Sequence, residues 1–122
     1  MLLTLDIGNT STTIGLFDGT NLVETWSIAS EKHRSEDEIG ILLINLLRIH
    51  NYDTKVDSAC LCSVVVCLTE RYKNALKRYL NIEPFVVSNK TTNLLKYSVD
   101  YPEEVGADRI VNAFAAYKLY NK

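Results

Sequence analysis

Apolar and polar positions along the first thirty residues repeat with the two-residue period of β-strands. Residues 2–7 form a mostly apolar run typical of a buried strand, and a second run covers 12–17. The Asp18-Gly19 dipeptide that follows is a strong hairpin signal, and residues 22–28 then alternate on both parities. The pattern therefore predicts three consecutive antiparallel strands.

The period changes to that of a helix after residue 34. Ser35-Glu36-Asp37-Glu38 has the spacing of a capping box, with Ser35 as N-cap and Glu38 at the third helical position. The apolar positions of the predicted helix, which runs to about His50, form a broad stripe: Ile39, Leu42, Leu43, Leu46, Leu47 and Ile49.

Strands and helices alternate through the rest of the chain. The predicted elements are a strand over 58–65, a helix from about Leu68 to Leu80, a short strand over 84–87, a polar connection over 88–101, and a final helix that opens near 102–106 and runs through Tyr117. Parallel strands need helical crossovers, so this order predicts an α/β fold with a mixed sheet: three antiparallel strands followed by helix-linked parallel strands.

Composition narrows the class of protein. A chain of 122 residues with 47% hydrophobic content suits one domain over residues 1–122. Thirteen basic and fifteen acidic residues leave a formal charge of −2, without the positive field expected of a nucleic-acid binder. We find no basic leader and no run near the roughly 18 apolar residues of a spanning helix, so we expect a cytoplasmic protein without a membrane segment.

The three cysteines form neither a disulfide framework nor a C-x-x-C site. Cys60 and Cys62 share one face of the predicted strand over 58–65, which favours small core residues over metal ligands. Cys67 follows that strand. His33 and His50 lack ligand spacing to each other and to the cysteines, so we interpret both as surface residues.

Asp6 is the first candidate for chemistry, because a buried carboxylate is costly unless it is paired, hydrogen-bonded or bound to a metal. Gly8 allows backbone N–H groups to approach a ligand, and Asn9 and Thr10 add short hydrogen-bonding side chains. This chemistry suits a phosphate and its magnesium ion. An ordinary turn, in which the Asp and Asn side chains form hydrogen bonds with the nearby backbone, explains the segment from Asp6 to Thr10 equally well.

A second candidate lies near the start of the predicted final helix. Gly106 keeps the approach open, and Asp108 falls in the first turn or cap, where the helix stabilises its negative charge. Capping alone also explains Asp108. Arg109 beside it suits recognition of a carboxylate or phosphate by paired donors, so a small anionic ligand fits here while Asp108 accepts a proton.

Together these residues resemble the motifs of the type III pantothenate kinases, in the family's order and over the whole chain. The matching segments are Asp6-Ile7-Gly8-Asn9-Thr10, which resembles the first phosphate motif; Ser35-Glu36-Asp37-Glu38; Cys62-Ser63-Val64-Val65; and the segment PEEVGADRIVNA from Pro102 to Ala113.

The resemblance implies the fold of sugar kinases, actin and the heat-shock ATPases, in which two ribonuclease H-like lobes hold ATP between them. The predicted order of strands and helices is that of one such lobe. The implied activity is ATP-dependent phosphorylation of pantothenate to 4′-phosphopantothenate, the first step of coenzyme A biosynthesis. Similar enzymes use Mg²⁺ and a monovalent cation, K⁺ or NH₄⁺, and are homodimers.

Site residues follow from the resemblance by position. They are Asp6 for the magnesium and phosphate environment; Gly8, Asn9 and Thr10 for phosphate; Gly106, Ala107, Asp108 and Arg109 for pantothenate, with Asp108 as general base; and Tyr101 as a candidate substrate contact.

This sequence departs from the family's pattern in three places. Two prolines commonly stand where this chain has Val66-Cys67, and a glycine is missing after Lys90-Thr91. Val99 occupies the usual position of the substrate-contacting tyrosine, for which Tyr97 and Tyr101 are the candidates.

Family members also carry a second lobe, with another phosphate motif, the adenosine pocket and much of the dimer contact. The 122 residues resemble the first lobe of a two-lobe kinase, so we expect little kinase activity from this chain alone.

Two alternatives belong to other classes. A ribonuclease H-like nuclease also opens with an Asp on its first strand, but it needs another acidic residue near the end of the fourth strand, where this chain has Cys62-Ser63-Val64-Val65. A non-catalytic remnant, or a transcriptional accessory factor as some family members are labelled, is the other.

Overall fold

One mixed β-sheet organises the part of the chain that the structure describes. A computed structural model describes residues 1–87. Its elements in chain order are β1 (Leu2–Ile7), β2 (Ser11–Asp18), β3 (Asn21–Ala29), α1 (Glu36–Arg48), β4 (Ser58–Ser63), α2 (Val66–Leu80) and β5 (Phe85–Val86). The strands lie in the order β3-β2-β1-β4-β5, antiparallel from β3 to β1 and parallel from β1 to β5.

The predicted element order and mixed sheet are confirmed over these residues. The predicted polar connection over 88–101 and the final helix lie outside them. Within residues 1–87, neither helix has the length and apolar character needed to cross a membrane.

Strand β1 is the centre of the sheet and all six of its residues are buried. Its alternation sends Leu3, Leu5 and Ile7 into the main core, which α1 and α2 also enter with one apolar face each. Leu2 belongs to a second cluster with Phe17 and Cys60, on the other face of the sheet. Asp6 has the parity of Leu2, so it lies on the face away from the two helices.

The predicted hairpin joins β2 to β3. Asp18 pairs with Asn21 across the turn, and Gly19 between them has a φ of 63°, a left-handed value that glycine adopts without a Cβ penalty. The register shifts between Leu16 and Phe17, which marks a bulge or irregularity in this pair of strands.

The predicted capping box opens α1. The Glu38 N–H donates to Ser35 Oγ at 3.2 Å, and the Ser35 N–H donates to Glu38 Oε1 at 2.9 Å. The bond from the Ser35 N–H to the carboxyl, then the Ser35 side chain and the charge of Arg34, lower the pKa of Glu38. The helix ends at Arg48, two residues before the predicted end, and Asn51 then takes a left-handed φ of 61°.

The boundary between β4 and α2 differs from the prediction. We expected the strand to run to residue 65 and the helix to begin near Leu68. Instead β4 ends at Ser63 and α2 begins at Val66. The Ser63 hydroxyl causes the early turn: its Oγ accepts the Val65 N–H at 3.0 Å and donates to the Val65 carbonyl at 3.1 Å.

Helices α1 and α2 meet at a glycine. A Cβ on Gly40 would lie 2.2 Å from Cδ2 of the Tyr79 ring, so this position allows the ring to pack against the α1 backbone. The Tyr79 hydroxyl donates to Asp37 Oδ1 at 2.5 Å, and Arg78 forms an ion pair with Asp37 at 3.1 Å. The predicted capping segment therefore also joins the first turn of α1 to the last turns of α2.

Candidate functional site

The carboxyl ends of β1 and β4 define the candidate site. These strands are parallel neighbours, with Asp6 opposite Cys62 and Ile7 opposite Ser63. The Val64 N–H donates to the Ile7 carbonyl at 3.0 Å, and this bond joins the ends of the two strands beyond their last pair. In open α/β sheets, ligands bind outside the carboxyl ends of the strands, and here that edge carries the polar segment selected from the sequence.

Asp6 lies one residue before the end of β1, and 5% of its surface is exposed. Its strand neighbours in register are Cys62 on β4 and Thr13 on β2. The sequence prediction of a carboxylate within a buried strand is therefore confirmed. In phosphoryl-transfer sites Mg²⁺ is held by one or two carboxylates, with substrate phosphate oxygens and water as the other ligands. A single protected carboxylate fits that donor set.

Residues 8–11, which link β1 to β2 and end with the first residue of β2, form a tight loop that we call the phosphate loop after the role predicted from the sequence. The Gly8 N–H donates to the Ser11 carbonyl at 3.0 Å. A Cβ on Gly8 would lie 3.0 Å from that same oxygen, so a larger residue here would require the Ser11 carbonyl to move by a few tenths of an ångström. Asn9 and Thr10 are exposed, and their polar side chains are accessible to a ligand.

The amino terminus of α2 opens at the same edge. Its first turn carries no acidic residue, and no side-chain hydrogen bond from the described residues caps it. The first N–H groups of a helix lack intrahelical partners and carry the positive end of the helix dipole. This end of α2 therefore adds a favourable potential for an anion at the carboxyl edge of the sheet.

Val66, the first residue of α2, is 84% exposed. Val66-Cys67 stands where the resemblance places two prolines, and the structure puts both residues in the first helical turn. Proline is tolerated there because its missing N–H would have no helical partner. The departure from the family's pattern at these two positions is therefore compatible with an unchanged turn.

The predicted site residues divide into two groups. Asp6, Gly8, Asn9 and Thr10 lie together at the carboxyl edge of the sheet. Tyr101, Gly106, Ala107, Asp108 and Arg109 lie outside the described residues. A pocket shared by Asp6 and Asp108 stays a prediction.

Sequence reasoning gave no separate role to Ser63, although it lay in a matched motif. Its hydroxyl turns the chain from β4 into α2 and so brings the helix to the site. The available signal was a serine between a strand pattern and a helix pattern, which is a frequent turn former.

Two of the three cysteines, Cys60 and Cys62, belong to the packing of the sheet. Cys60 is 0% exposed and lies in the second core cluster, against which Cys62 packs, as predicted from their shared parity. Burial, and secondarily the neighbouring Cys62, raises the pKa of Cys60 to about 12. Within residues 1–87, no group of three or more His, Cys, Asp or Glu side chains has the arrangement of a metal site.

Thiol labelling is expected to distinguish these cysteines. The thiolate is the reactive species, so Cys60, buried and with its pKa raised to about 12, should react only on unfolding. Cys67 is exposed and should react rapidly in the folded chain. Labelling with an aromatic disulfide at pH 8, followed by peptide mass spectrometry, measures each site. The Cys67→Ser variant is the control that should lose the fast phase, and rapid labelling of Cys60 would contradict its buried position.

Comparisons with known proteins match the whole chain. A family model described as type III pantothenate kinase matches residues 2–122. A type III pantothenate kinase of Roseiflexus sp. (strain RS-1) is 40% identical over 121 residues, which cover 98% of this chain and 48% of the relative. A protein of the same name from Streptomyces coelicolor is 37% identical over 126 residues, with the same two coverages. The chain therefore spans about half the length of the curated relatives it matches.

Solved structures share the fold at low sequence identity. The ethanolamine utilization protein EutJ from Carboxydothermus hydrogenoformans superposes with a TM-score of 0.52 at 14% identity, over 69% of this chain and 42% of that one. A putative N-acetylglucosamine kinase from Porphyromonas gingivalis gives 0.53 at 17% identity, over 70% and 34%. At such identities the likeness shows the fold alone, and it confirms the predicted fold class of a ribonuclease H-like lobe of the actin and sugar-kinase type.

Proposed function

The chain belongs to the type III pantothenate kinase family, and from that premise we propose that it forms the N-terminal lobe of an enzyme that phosphorylates pantothenate with ATP. The product is 4′-phosphopantothenate, and the reaction is the first step of coenzyme A biosynthesis. The observation that carries the proposal is the position of Asp6 and the phosphate loop at one edge of the sheet, beside the amino terminus of α2.

The described residues support the nucleotide side of this reaction. Asp6 would hold the Mg²⁺ ion, and the backbone of Gly8 with the exposed side chains of Asn9 and Thr10 would contact phosphate. Mg²⁺ supplies charge neutralisation on the phosphate oxygens as negative charge develops. The protein's own contribution is alignment, since phosphoryl transfer depends chiefly on positioning and electrostatic stabilisation.

The substrate side of the proposal rests on the family motif. Asp108 would act as general base on the hydroxyl of pantothenate, and Arg109 would bind its carboxylate through paired donors. Gly106 and Ala107 would leave room for the ligand, and Tyr101 would replace the usual substrate-contacting tyrosine.

The proposal extends to the whole enzyme. A second ribonuclease H-like lobe would supply the adenosine pocket and a further phosphate motif, residues 1–122 being the first of the two. We further propose a monovalent cation, K⁺ or NH₄⁺, at the site, a homodimer as the active assembly, and the cytoplasm as its location.

We expect the 122-residue chain to have little kinase activity by itself, because it spans about half the length of its relatives. The measurement is ATP-dependent phosphorylation of pantothenate by the purified chain. A chimera, in which this chain is joined to the second half of the Roseiflexus relative, should recover the activity. The intact relative is the positive control.

Calorimetric titration of the 122-residue chain and of the chimera, with pantothenate and with Mg-ATP, distinguishes a two-lobe kinase from a non-catalytic protein. Binding of both ligands by the chimera only would favour a two-lobe kinase. Turnover by the chain alone would refute the expected dependence on a second lobe. Tight ligand binding by the chain without turnover in the chimera would favour a non-catalytic accessory protein, the reading that the half-length alignment also allows.

A further inference from the structure

Ser30 ties the phosphate loop, residues 8–11, to the end of the hairpin. Its backbone N–H donates to the Thr10 carbonyl at 2.9 Å, beyond the last paired residues of β2 and β3. Its hydroxyl lies 2.7 Å from Thr12 Oγ1. One residue therefore holds both the loop and the first buried residue of β2, from a position about 20 residues away in the sequence.

Thr12 on β2 faces Tyr72 on α2. Thr12 is 0% exposed and Tyr72 on α2 is 2% exposed, so the two groups meet within the interface between sheet and helix. Burial raises the pKa of the Tyr72 phenol, and a hydrogen bond with Thr12 opposes that shift. Removing one partner of a buried hydrogen bond leaves the other unsatisfied, which makes such pairs costly to open.

A second contact from α2 holds the chain after Ser30. The Arg71 guanidinium donates through Nη1 to the carbonyls of Lys32 and Arg34, the latter at 3.3 Å. The Arg34 N–H donates to the Glu31 carbonyl at 3.1 Å, which closes the segment into a turn. Adjacent residues of α2 therefore reach the partners and the neighbours of Ser30: Arg71 binds the segment that follows it, and Tyr72 lies against Thr12.

We propose that Ser30 is a positioning residue for the phosphate loop, with Arg71 and Tyr72 as its supports on α2. The loop residues would contact the ligand, whereas Ser30 would act through them by holding the Thr10 carbonyl and the Thr12 hydroxyl. Donors held in place before a ligand arrives lose less entropy on binding and reorganise less during the reaction. The assignment rests on the proposed function for the identity of the ligand, a nucleotide phosphate, and on the contacts above for the positioning itself.

Amide hydrogen exchange on the 122-residue chain tests the positioning without any ligand. Ser30→Ala removes the hydroxyl bond to Thr12 and keeps the backbone bond to the Thr10 carbonyl. The amides of Gly8 and of position 30, which report the loop and its backbone bond to the end of the hairpin, should then exchange about fivefold faster, the effect of losing one hydrogen bond. Ser30→Thr keeps a hydroxyl and should restore most of the protection. The amides of Leu43 and Leu76, within the two helices, should be unchanged.

Tyr79→Phe is the matched control. It removes one hydroxyl hydrogen bond from α2, the bond from Tyr79 to Asp37, and leaves the loop contacts intact. It should leave the Gly8 amide as in the wild type. Arg71→Gln loosens the same segment from the partly exposed side of α2 and should accelerate the Gly8 amide even where Ser30→Ala fails to fold. Unchanged loop exchange in Ser30→Ala or, should that variant not fold, in Arg71→Gln would overturn the proposal. An equal increase in the exchange rate of all amides would also overturn it.

Mg-ATP affinity of the chimera gives the functional readout. Ser30→Ala should weaken it about fivefold and Ser30→Thr should restore it, while Tyr79→Phe should not change it. A wild-type chimera that binds no nucleotide would remove the proposed function, but accelerated loop exchange would still support Ser30 as the residue that holds the loop. Unchanged affinity in Ser30→Ala, with normal binding by the wild type, would overturn the role in phosphate binding.

Discussion

Replacing Gly40 with leucine is expected to destabilise the chain by about 2–3 kcal/mol, the usual cost of forcing a large side chain into a packed interface. The new Cβ alone would lie 2.2 Å from Cδ2 of Tyr79. The ring can move away only by giving up its hydrogen bond to Asp37 and its contact with the Arg78 guanidinium, whose carbon lies 5.6 Å from the ring centroid. Leucine is a good helix former, so helix propensity does not account for the loss.

Urea denaturation of four proteins measures this effect: wild type, Gly40→Leu, Tyr79→Ala and the double variant. If the clash with the ring is the cause, Gly40→Leu should cost less than about 1 kcal/mol in the Tyr79→Ala background, because the two changes are coupled. Asn45→Leu, at an exposed position of the same helix, is the matched control and should change the free energy of unfolding by about 0.5 kcal/mol or less. Equal costs of Gly40→Leu in both backgrounds would refute the assigned contact.

Replacing Asp6 with asparagine is expected to weaken Mg-ATP binding by about 100-fold, the equivalent of about 3 kcal/mol for a lost charge-assisted contact. Asparagine keeps nearly the same volume and an oxygen acceptor, so the change removes mainly the negative charge from the position that is 5% exposed. Pantothenate phosphorylation by the chimera should fall by at least the same factor. Without that charge, the site no longer offers a carboxylate ligand to Mg²⁺.

Thermal or urea unfolding of the chimera with and without Mg-ATP separates binding from stability. At a concentration 100 times its dissociation constant, the ligand should stabilise the wild type by about 2.7 kcal/mol. At the same concentration the Asp6→Asn variant should gain only about 0.4 kcal/mol, since its dissociation constant would equal the ligand concentration. Asp18→Asn changes an exposed carboxylate at the far end of β2 and should behave as the wild type. Equal ligand stabilisation of Asp6→Asn and wild type would exclude Asp6 as the metal ligand.

Local signals were sufficient for much of this fold. The capping box at Ser35 and the turn at Gly19 depend on residues within four positions of one another, and both have the predicted form. The boundary at Ser63 was wrong because the apolar run of valines continues past it. A hydrogen bond from a serine side chain, rather than the hydrophobic pattern, ends the strand there.

The candidate site was also predictable only where it depends on neighbouring residues. Asp6 and Gly8 lie in one short segment, so their proximity follows from the chain itself. Ser30 and Tyr72 carried no such signal, because a serine after a strand and a tyrosine on an apolar helix face are common in any fold. Their relation to the loop depends on the register of β2 with β3 and on where α2 crosses the sheet.

The amino-acid sequence by itself determined which segments become strands and helices, and it marked Asp6 as a buried carboxylate, because periodicity, capping and turn chemistry act between close neighbours. Only the tertiary structure decided which distant groups meet: Ser30 with Thr10, Val64 with Ile7, and Gly40 with the Tyr79 ring. The physical reason is that these contacts depend on strand register and helix packing, which the whole core sets at once. The sequence around a residue does not indicate which distant residue will contact it in the folded protein.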